Sequence, residues 1–151
     1  MSEENQQQDP NEQFNEQDWV NEQCAAVLGY CSRKELNLTK IVDVKSVILP
    51  PFIGIWFVES KSSKEEYWVI SGDLPIDHIA VKLAKSPRDV VRHFSLVWHL
   101  KAERLMASLE AGKPQLGDPG KQTEFASLLV SRAEALADLA GNDEMWLKQK
   151  T

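Results

Sequence analysis

The chain lacks the short motifs that mark many active sites. It contains no G-x-x-x-x-G-K-[ST] phosphate loop, no G-x-G-x-x-G dinucleotide fingerprint and no G-x-S-x-G nucleophile elbow. Its one glycine-rich run, Gly112 to Gly120, follows a predicted helix and contains two prolines, which is typical of a loop. These absences favour a non-enzymatic protein, predict no catalytic residue and predict no bound cofactor.

Membrane and secretory segments are also missing. Residues 2–13 hold neither the basic region nor the apolar region of a secretory signal, and no apolar run approaches the roughly 20 residues of a spanning helix. We therefore expect a cytoplasmic protein. Cysteine is scarce: Cys24 and Cys31 would lie about 10 Å apart on a helix, too far for a disulfide, and they fit as two unpaired thiols.

Positive charge is absent from the first 32 residues, and the net charge is −6. Six of the 23 acidic residues precede Trp19, and the remaining 17 balance the 17 basic residues. Since no basic block exists and the pI is about 5.1, we expect no nucleic-acid partner and no binding to an anionic membrane.

The length of 151 residues and the 42% hydrophobic content fit one ordinary domain with a single core. Residues 1–13 are almost entirely polar, so they cannot bury enough surface to offset the entropy of ordering. We predict a disordered acidic and polar tail over 1–13 and a single α+β domain over 14–151. A tail that binds a basic partner remains an alternative.

Hydrophobic periodicity predicts three main helices and about three strands. The helices are expected at 14–31, 87–111 and 121–140, and the strands at 41–49, 52–59 and 67–71. Ser86 and Pro87 are typical of a helix start, and Gly112 of a helix end. The fold class is therefore α+β, a small antiparallel sheet of about three strands packed with three main helices in a single domain. A short helical turn is expected between Ile76 and Leu83.

The core is expected on both faces of the 52–59 strand, because apolar side chains alternate to both sides of it. On the helix 87–111 the apolar seam runs through Phe94, Trp98 and Leu105, and Leu96 widens it. The same spacing predicts further core positions on the other two helices, Phe14, Leu28 and Leu128. Beyond the last helix, Met145, Trp146 and Leu147 are expected to pack back onto the domain.

One polar cluster could bind a ligand. Its members are Asp73, Asp77, His78, Arg88, Arg92 and His93. An Asp–His–Arg group can bind an anion or act as acid and base. The alternative, which we favour, is structural: the aspartates cap turns and an arginine ties their loop to the helix. In that case Arg92 should pin the loop 72–78 to the helix through a salt bridge or carbonyl hydrogen bonds.

A metal site is not expected. His93 and His99 are six residues apart, so on a helix their directions differ by about 120°, whereas shared ligation needs a spacing of four. His78 would have to complete the set from a loop.

The middle of the chain resembles a family of small bacterial proteins catalogued as a domain of unknown function. The likeness is carried by Leu49-Pro50-Pro51, Ile55-Trp56, the stretch Tyr67 to Pro75, Asp77-His78, Ser86-Pro87-Arg88, Arg92 to Ser95, Trp98 and Leu100 to Glu103. The tail and the last helix lie outside these residues. The resemblance implies a soluble α+β protein of bacterial origin, and it implies no activity.

Two functions follow from these observations. The first is a small, non-enzymatic cytoplasmic interaction or regulatory protein with an unknown protein partner, for which a homodimer is one form. The second is an anion- or small-molecule-binding domain, with an enzyme as a variant, that uses the six-residue cluster. The two differ in whether the six side chains converge on one pocket.

Overall fold

The chain folds as one α+β domain, which a computed structural model describes for residues 14–36, 38–60 and 64–149. The elements are α1 (Glu16–Arg33), β1 (Leu38–Ile41), β2 (Val47–Leu49), β3 (Ile53–Ser60), β4 (Glu66–Gly72), β5 (Asp77–Ala80), α2 (Pro87–Glu110), α3 (Pro119–Ala140) and α4 (Asp143–Gln149). The tail predicted over 1–13 lies outside the described residues. Within the described ranges, no helix has both the length and the apolar character that crossing a membrane requires.

The sheet is antiparallel and has β3 at its centre. The strand order is β1-β3-β4-β5, and β2 pairs with the first residues of β3 while β1 pairs with its last ones. The described residues thus form five strands, whereas about three were predicted. The predicted strand 41–49 is wrong as one piece, because a 3-10 turn at Asp43–Lys45 separates β1 from β2.

The stretch predicted as a helical turn is also different. Its first part, Asp77–Ala80, is strand β5, which pairs with β4, and only Val81–Leu83 forms a 3-10 turn. The free edge of β4 offers backbone hydrogen bonds that a four-residue strand can take up, whatever its side-chain spacing. Such a short strand leaves no readable period in the sequence.

Strand β3 is covered on both faces, as predicted. Ile53, Ile55 and Phe57 face the side of α2 and α3, whereas Trp56 and Val58 pack with buried residues of α1. The molecule therefore has three layers: α1, the sheet, and the α2/α3 pair with α4 beside it. The buried Trp56 has its polar atom satisfied, since its Nε1–H donates to Ser71 Oγ at 2.8 Å.

The helix boundaries follow their capping residues. The Ser86 hydroxyl accepts a hydrogen bond from the backbone N–H of Asp89 at 3.2 Å, and α2 ends at Glu110, shortly before Gly112 with φ +76°. The carboxylate of Asp118 caps α3 in the same way. A fourth helix, α4, was not predicted as a helix; its Trp146 is buried as expected.

Several residues expected in the core are exposed instead. They are Phe14, Leu28, Leu96, Leu128 and Leu147. Periodicity identifies the apolar arc of a helix but not how much of that arc a neighbour covers. The uncovered part of α2, which contains Leu96, bears on function below.

A buried glutamine ties the two long helices together near their connection. Gln122 is fully buried, and its Nε2 donates to Leu105 O and to Ser108 Oγ, both at 2.7 Å. Its Oε1 accepts from the backbone N–H groups of Gln115 and Leu116 at 2.8 Å. All four hydrogen bonds of the amide are made, so its burial carries no unpaired polar group.

Substitution of Trp98 tests the packing of the helical hairpin formed by α2 and α3. Trp98 is 2% exposed and packs against Phe94, so Trp98→Ala should lower the free energy of unfolding by roughly 3–5 kcal/mol. Urea denaturation followed by circular dichroism measures this. Leu83→Ala is the matched control at an exposed site and should stay within about 0.5 kcal/mol of the parent. Equal effects of the two substitutions would contradict the packing.

Candidate functional site

The six residues of the predicted cluster do not form one pocket. Asp77 and His78 are neighbours on the edge strand β5, and His93 of α2 lies close enough to Asp77 for its pKa to be affected by that charge. The other three lie in separate contacts: Asp73 with α3, Arg88 with the end of α3, and Arg92 on the surface of α2.

The first group forms what we call the β5-edge cluster: Tyr30, Asp77, His78 and His93. The hydroxyl of Tyr30 and Nδ1 of His78 are hydrogen-bonded at 2.7 Å. The backbone N–H of His78 donates to the carboxylate of Asp77 at 2.8 Å. Tyr30 contacts β5 from α1, whereas His93 of α2 is linked to this cluster through the charge of Asp77.

The two imidazoles and the phenol of the β5-edge cluster are held neutral. Burial lowers the pKa of His78 and of His93, and the Asp77 carboxylate opposes this in both cases. Burial first, and then Asp77, raise the pKa of Tyr30 to about 12. Near pH 7 the cluster therefore holds two neutral imidazoles and a neutral phenol.

Arg88 has a structural role at the junction of three helices. Its Nε donates to the carbonyl of Ala140 at 2.8 Å, and its guanidinium is ion-paired with Asp143. The carbonyl belongs to the last turn of α3, where cations are favourable. The hydrogen bond and the charge of Arg88 also lower the pKa of Asp143.

The prediction that Arg92 pins the loop 72–78 is wrong. The guanidinium of Arg92 is paired with Asp89, one turn earlier on α2, at 3.2 Å, and it is exposed. The loop is tied instead by Arg132 of α3, whose Nε donates to the carbonyl of Asp73 at 2.7 Å. The prediction relied on closeness in sequence. In the fold, α3 lies closer to this loop than the part of α2 that carries Arg92.

Two functional candidates were missed from the sequence. Tyr30 was counted in the first helix but not as polar, and nothing in the sequence links it to His78, 48 residues away. Arg132 gave a weak signal: it is a cation among apolar residues of α3 and is only 26% exposed, which is typical of a paired arginine.

A second candidate site is the outer face of α2, directed away from the sheet. Six side chains on this helix are spaced alternately by four and three residues, so they lie along one line. We call them the α2 outer stripe: Arg92, Leu96, His99, Glu103, Met106 and Glu110. Leu96 is 62% exposed and Met106 is 40% exposed, whereas His99 is half-buried.

Between the stripe and α3 lie two separate hollows, which together we call the groove. Near its basic end the groove holds about 420 Å³ and is lined by Leu96, His99 and Ala137, among others. Near Met106 it holds about 390 Å³ beside Ser127 and Val130. Small exposed residues on α3, such as Ser127 and Ala137, leave room for an approaching helix.

The two cysteines offer no reactive site. Burial raises the pKa of both thiols, Cys24 and Cys31, so they are protonated near pH 7. Among the described residues, no three side chains of His, Cys, Asp or Glu are placed to hold a metal ion.

Comparison with known proteins identifies the family. The sequence model of a family described as "Domain of unknown function (DUF4826)" matches residues 12–146. The chain belongs to this family. The match extends well beyond the middle region that suggested the resemblance, and it includes α1 and the whole of α3. No curated protein and no solved structure matches the chain significantly.

The loop contact predicts different effects for two arginines. Arg132→Ala removes a donor from the Asp73 carbonyl and should destabilise the fold by about 1–2 kcal/mol. Arg92→Ala removes only an exposed pair within one helix and should cost less than about 0.5 kcal/mol. Urea unfolding of both variants measures this. A larger loss for Arg92→Ala would restore the original interpretation.

The neutral imidazoles predict a pH dependence. The unfolded chain takes up protons on histidine near the ordinary pKa of about 6.5, whereas the folded chain takes them up on His78 and His93 only at lower pH. Stability should therefore fall as the pH is lowered through about 6.5. Urea unfolding between neutral pH and about pH 5 should show this fall, and it should be shallower in a His78→Gln/His93→Gln variant. An unchanged slope in that variant would contradict the assignment.

Proposed function

We propose that this chain is a non-enzymatic interaction domain that binds a helix of a partner protein in the groove between α2 and α3. The surface consists of the α2 outer stripe and the small residues of α3 opposite it. The partner's contribution is an amphipathic helix, because the stripe places two exposed apolar side chains, Leu96 and Met106, between charged residues at its two ends.

The exposure of Leu96 carries the proposal. α2 has a well-formed N-cap and a fully buried seam on its inner face, so the helix does not need Leu96 for folding. Leu96 is 62% exposed, is aligned with the exposed Met106 and is flanked by Leu100, so apolar side chains interrupt the polar outer face of α2. Patches of this kind are typical of binding surfaces.

The positions of the polar candidates support the same conclusion. Asp73, Arg88 and Arg92 each have a partner within the chain, and these partners are spread over three places. An anion site needs cations that converge on one point. The predicted anion-binding cluster therefore loses both of its arginines.

A second candidate function rests on the β5-edge cluster, where Tyr30 is hydrogen-bonded to His78 and Asp77 is next to His78 on the strand. With both imidazoles neutral, this cluster carries donors and acceptors but no positive charge. It therefore suits a neutral, hydrogen-bonding small molecule better than an anion. If stability does not fall between neutral pH and about pH 5, the imidazoles are charged in the folded protein. That result would favour anion binding instead.

Site-specific photo-crosslinking tests the helix-binding function. A photoreactive phenylalanine analogue placed at Leu96 should give a discrete crosslinked species in cells of the source organism, with its partner identified by mass spectrometry. The same analogue at Leu83, which is 71% exposed on the turn after β5, is the control and should give none. Met106→Glu should abolish the product at Leu96 because it places a charge in the groove.

The absence of any product at Leu96 would overturn the proposed function. The same conclusion would follow if Leu96 and Leu83 gave the same pattern of products, because the surface would then have no selectivity.

A further inference from the structure

The α2 outer stripe is complementary to itself when it is reversed. Read from the start of α2 it is basic, apolar, polar, acidic, apolar, acidic. Arg92 and Glu110 stand at equal distances from the centre of the stripe, near position 101, as do Leu96 and Met106, and His99 and Glu103. Each pair matches a base with an acid or one apolar side chain with another.

Such a pattern fits a two-fold axis. In a symmetric dimer the same surface of both copies meets, so residue i contacts residue j and j contacts i. Two antiparallel α2 helices that cross the axis at position 101 would place Arg92 against Glu110 of the second copy. The alternating spacing of four and three is also the spacing at which two helices pack side chains into each other along their length.

The charged residues of the stripe are available for such contacts. Within the described part of the chain, Glu103 and Glu110 form no ion pair, and Arg92 is ion-paired with the exposed Asp89 and lies close enough to Asp143 to lower its pKa. Antiparallel helices also set their dipoles in opposite directions, which is favourable for neighbouring helices.

The area of the face is adequate for a dimer. α2 has 24 residues, so it is about 36 Å long, and with α3 beside it the face is about 18 Å wide, or roughly 650 Å². Stable interfaces bury roughly 600–1,000 Å² per partner, so this face lies at the lower end of that range. The exposed Leu100 beside the stripe adds apolar area at the rim.

We propose that the chain forms a two-fold dimer in which α2 pairs antiparallel with α2 of a second copy, with Arg92 against Glu110, Leu96 against Met106 and His99 against Glu103. The α2/α3 hairpins of the two copies then form a four-helix arrangement. This rests on the proposed function, in that it names the partner helix as α2 itself.

Sedimentation equilibrium of the full chain tests the dimer. The parent should sediment at twice the 17.1 kDa mass of the chain. Leu96→Glu should weaken association by about 100-fold, because a carboxylate would be buried at an apolar contact in both halves of the interface. Leu83→Glu is the matched control and should leave the dimer intact, and circular dichroism should show that both variants are folded.

A charge exchange tests the register. Arg92→Glu should weaken the dimer by roughly tenfold, since it places like charges together at both ends of the interface. Adding Glu110→Arg should restore it. Within one chain these positions are 18 residues, or about 27 Å, apart along the helix, so rescue can come only from contact between copies.

Cysteine crosslinking tests whether position 96 of one copy lies next to position 106 of the other. The Leu96→Cys/Met106→Cys variant should form a disulfide-linked dimer on oxidation, whereas each single variant should not, because position 96 lies about 15 Å along the axis from its own copy.

Three outcomes would overturn the dimer: a monomeric parent, a dimer insensitive to Leu96→Glu, or no rescue by the double exchange. If the parent is monomeric and Leu96 still crosslinks to a different protein, the proposed function stands and the dimer alone fails. If Leu96 gives no crosslink and the parent is monomeric, both fail.

Discussion

The apolar character of β3 on both of its faces is the constraint on which the arrangement of layers depends. A strand with large side chains on both sides cannot lie on a surface, so the chain must supply a cover for each face. α1 covers one face, and the α2/α3 hairpin covers the other. The hairpin has to be long and rigid for this purpose. The rigidity is supplied by the cap at Ser86 and by the fully satisfied amide of Gln122.

The parts of the fold that follow from local chemistry could be predicted from the sequence. The ends of α2 follow from Ser86 and Gly112, and the double burial of β3 follows from its unbroken apolar run. The extra strands could not be predicted. β5 forms because β4 leaves an edge open, and the break between β1 and β2 depends on how the chain turns at 43–45. Both are consequences of tertiary pairing, which short stretches of sequence do not record.

The candidate sites show the same limit. The six polar residues were grouped because they are close in sequence, but a guanidinium pairs with whatever acceptor the fold brings near. Arg88 reaches Ala140, 52 residues away, and Asp73 is held by Arg132, 59 residues away. The outer stripe of α2 was present in the sequence throughout. It was not recognised because the spacing of Leu96 fits the edge of a buried seam as well as an exposed surface. Only the packing of α3 decides which of the two applies.

The hydrogen bond from the His78 N–H to the Asp77 carboxylate has a consequence for how this protein avoids unwanted assembly. β5 is the last strand of its sheet, and an open edge with free N–H groups is a template for a further strand from another molecule. Here one of those N–H groups is already engaged, and the engaging group places a negative charge on the edge. Strand-by-strand growth of the sheet into aggregates is thereby discouraged. The association proposed above avoids this edge and uses a helical surface, whose side chains can specify one partner and one register.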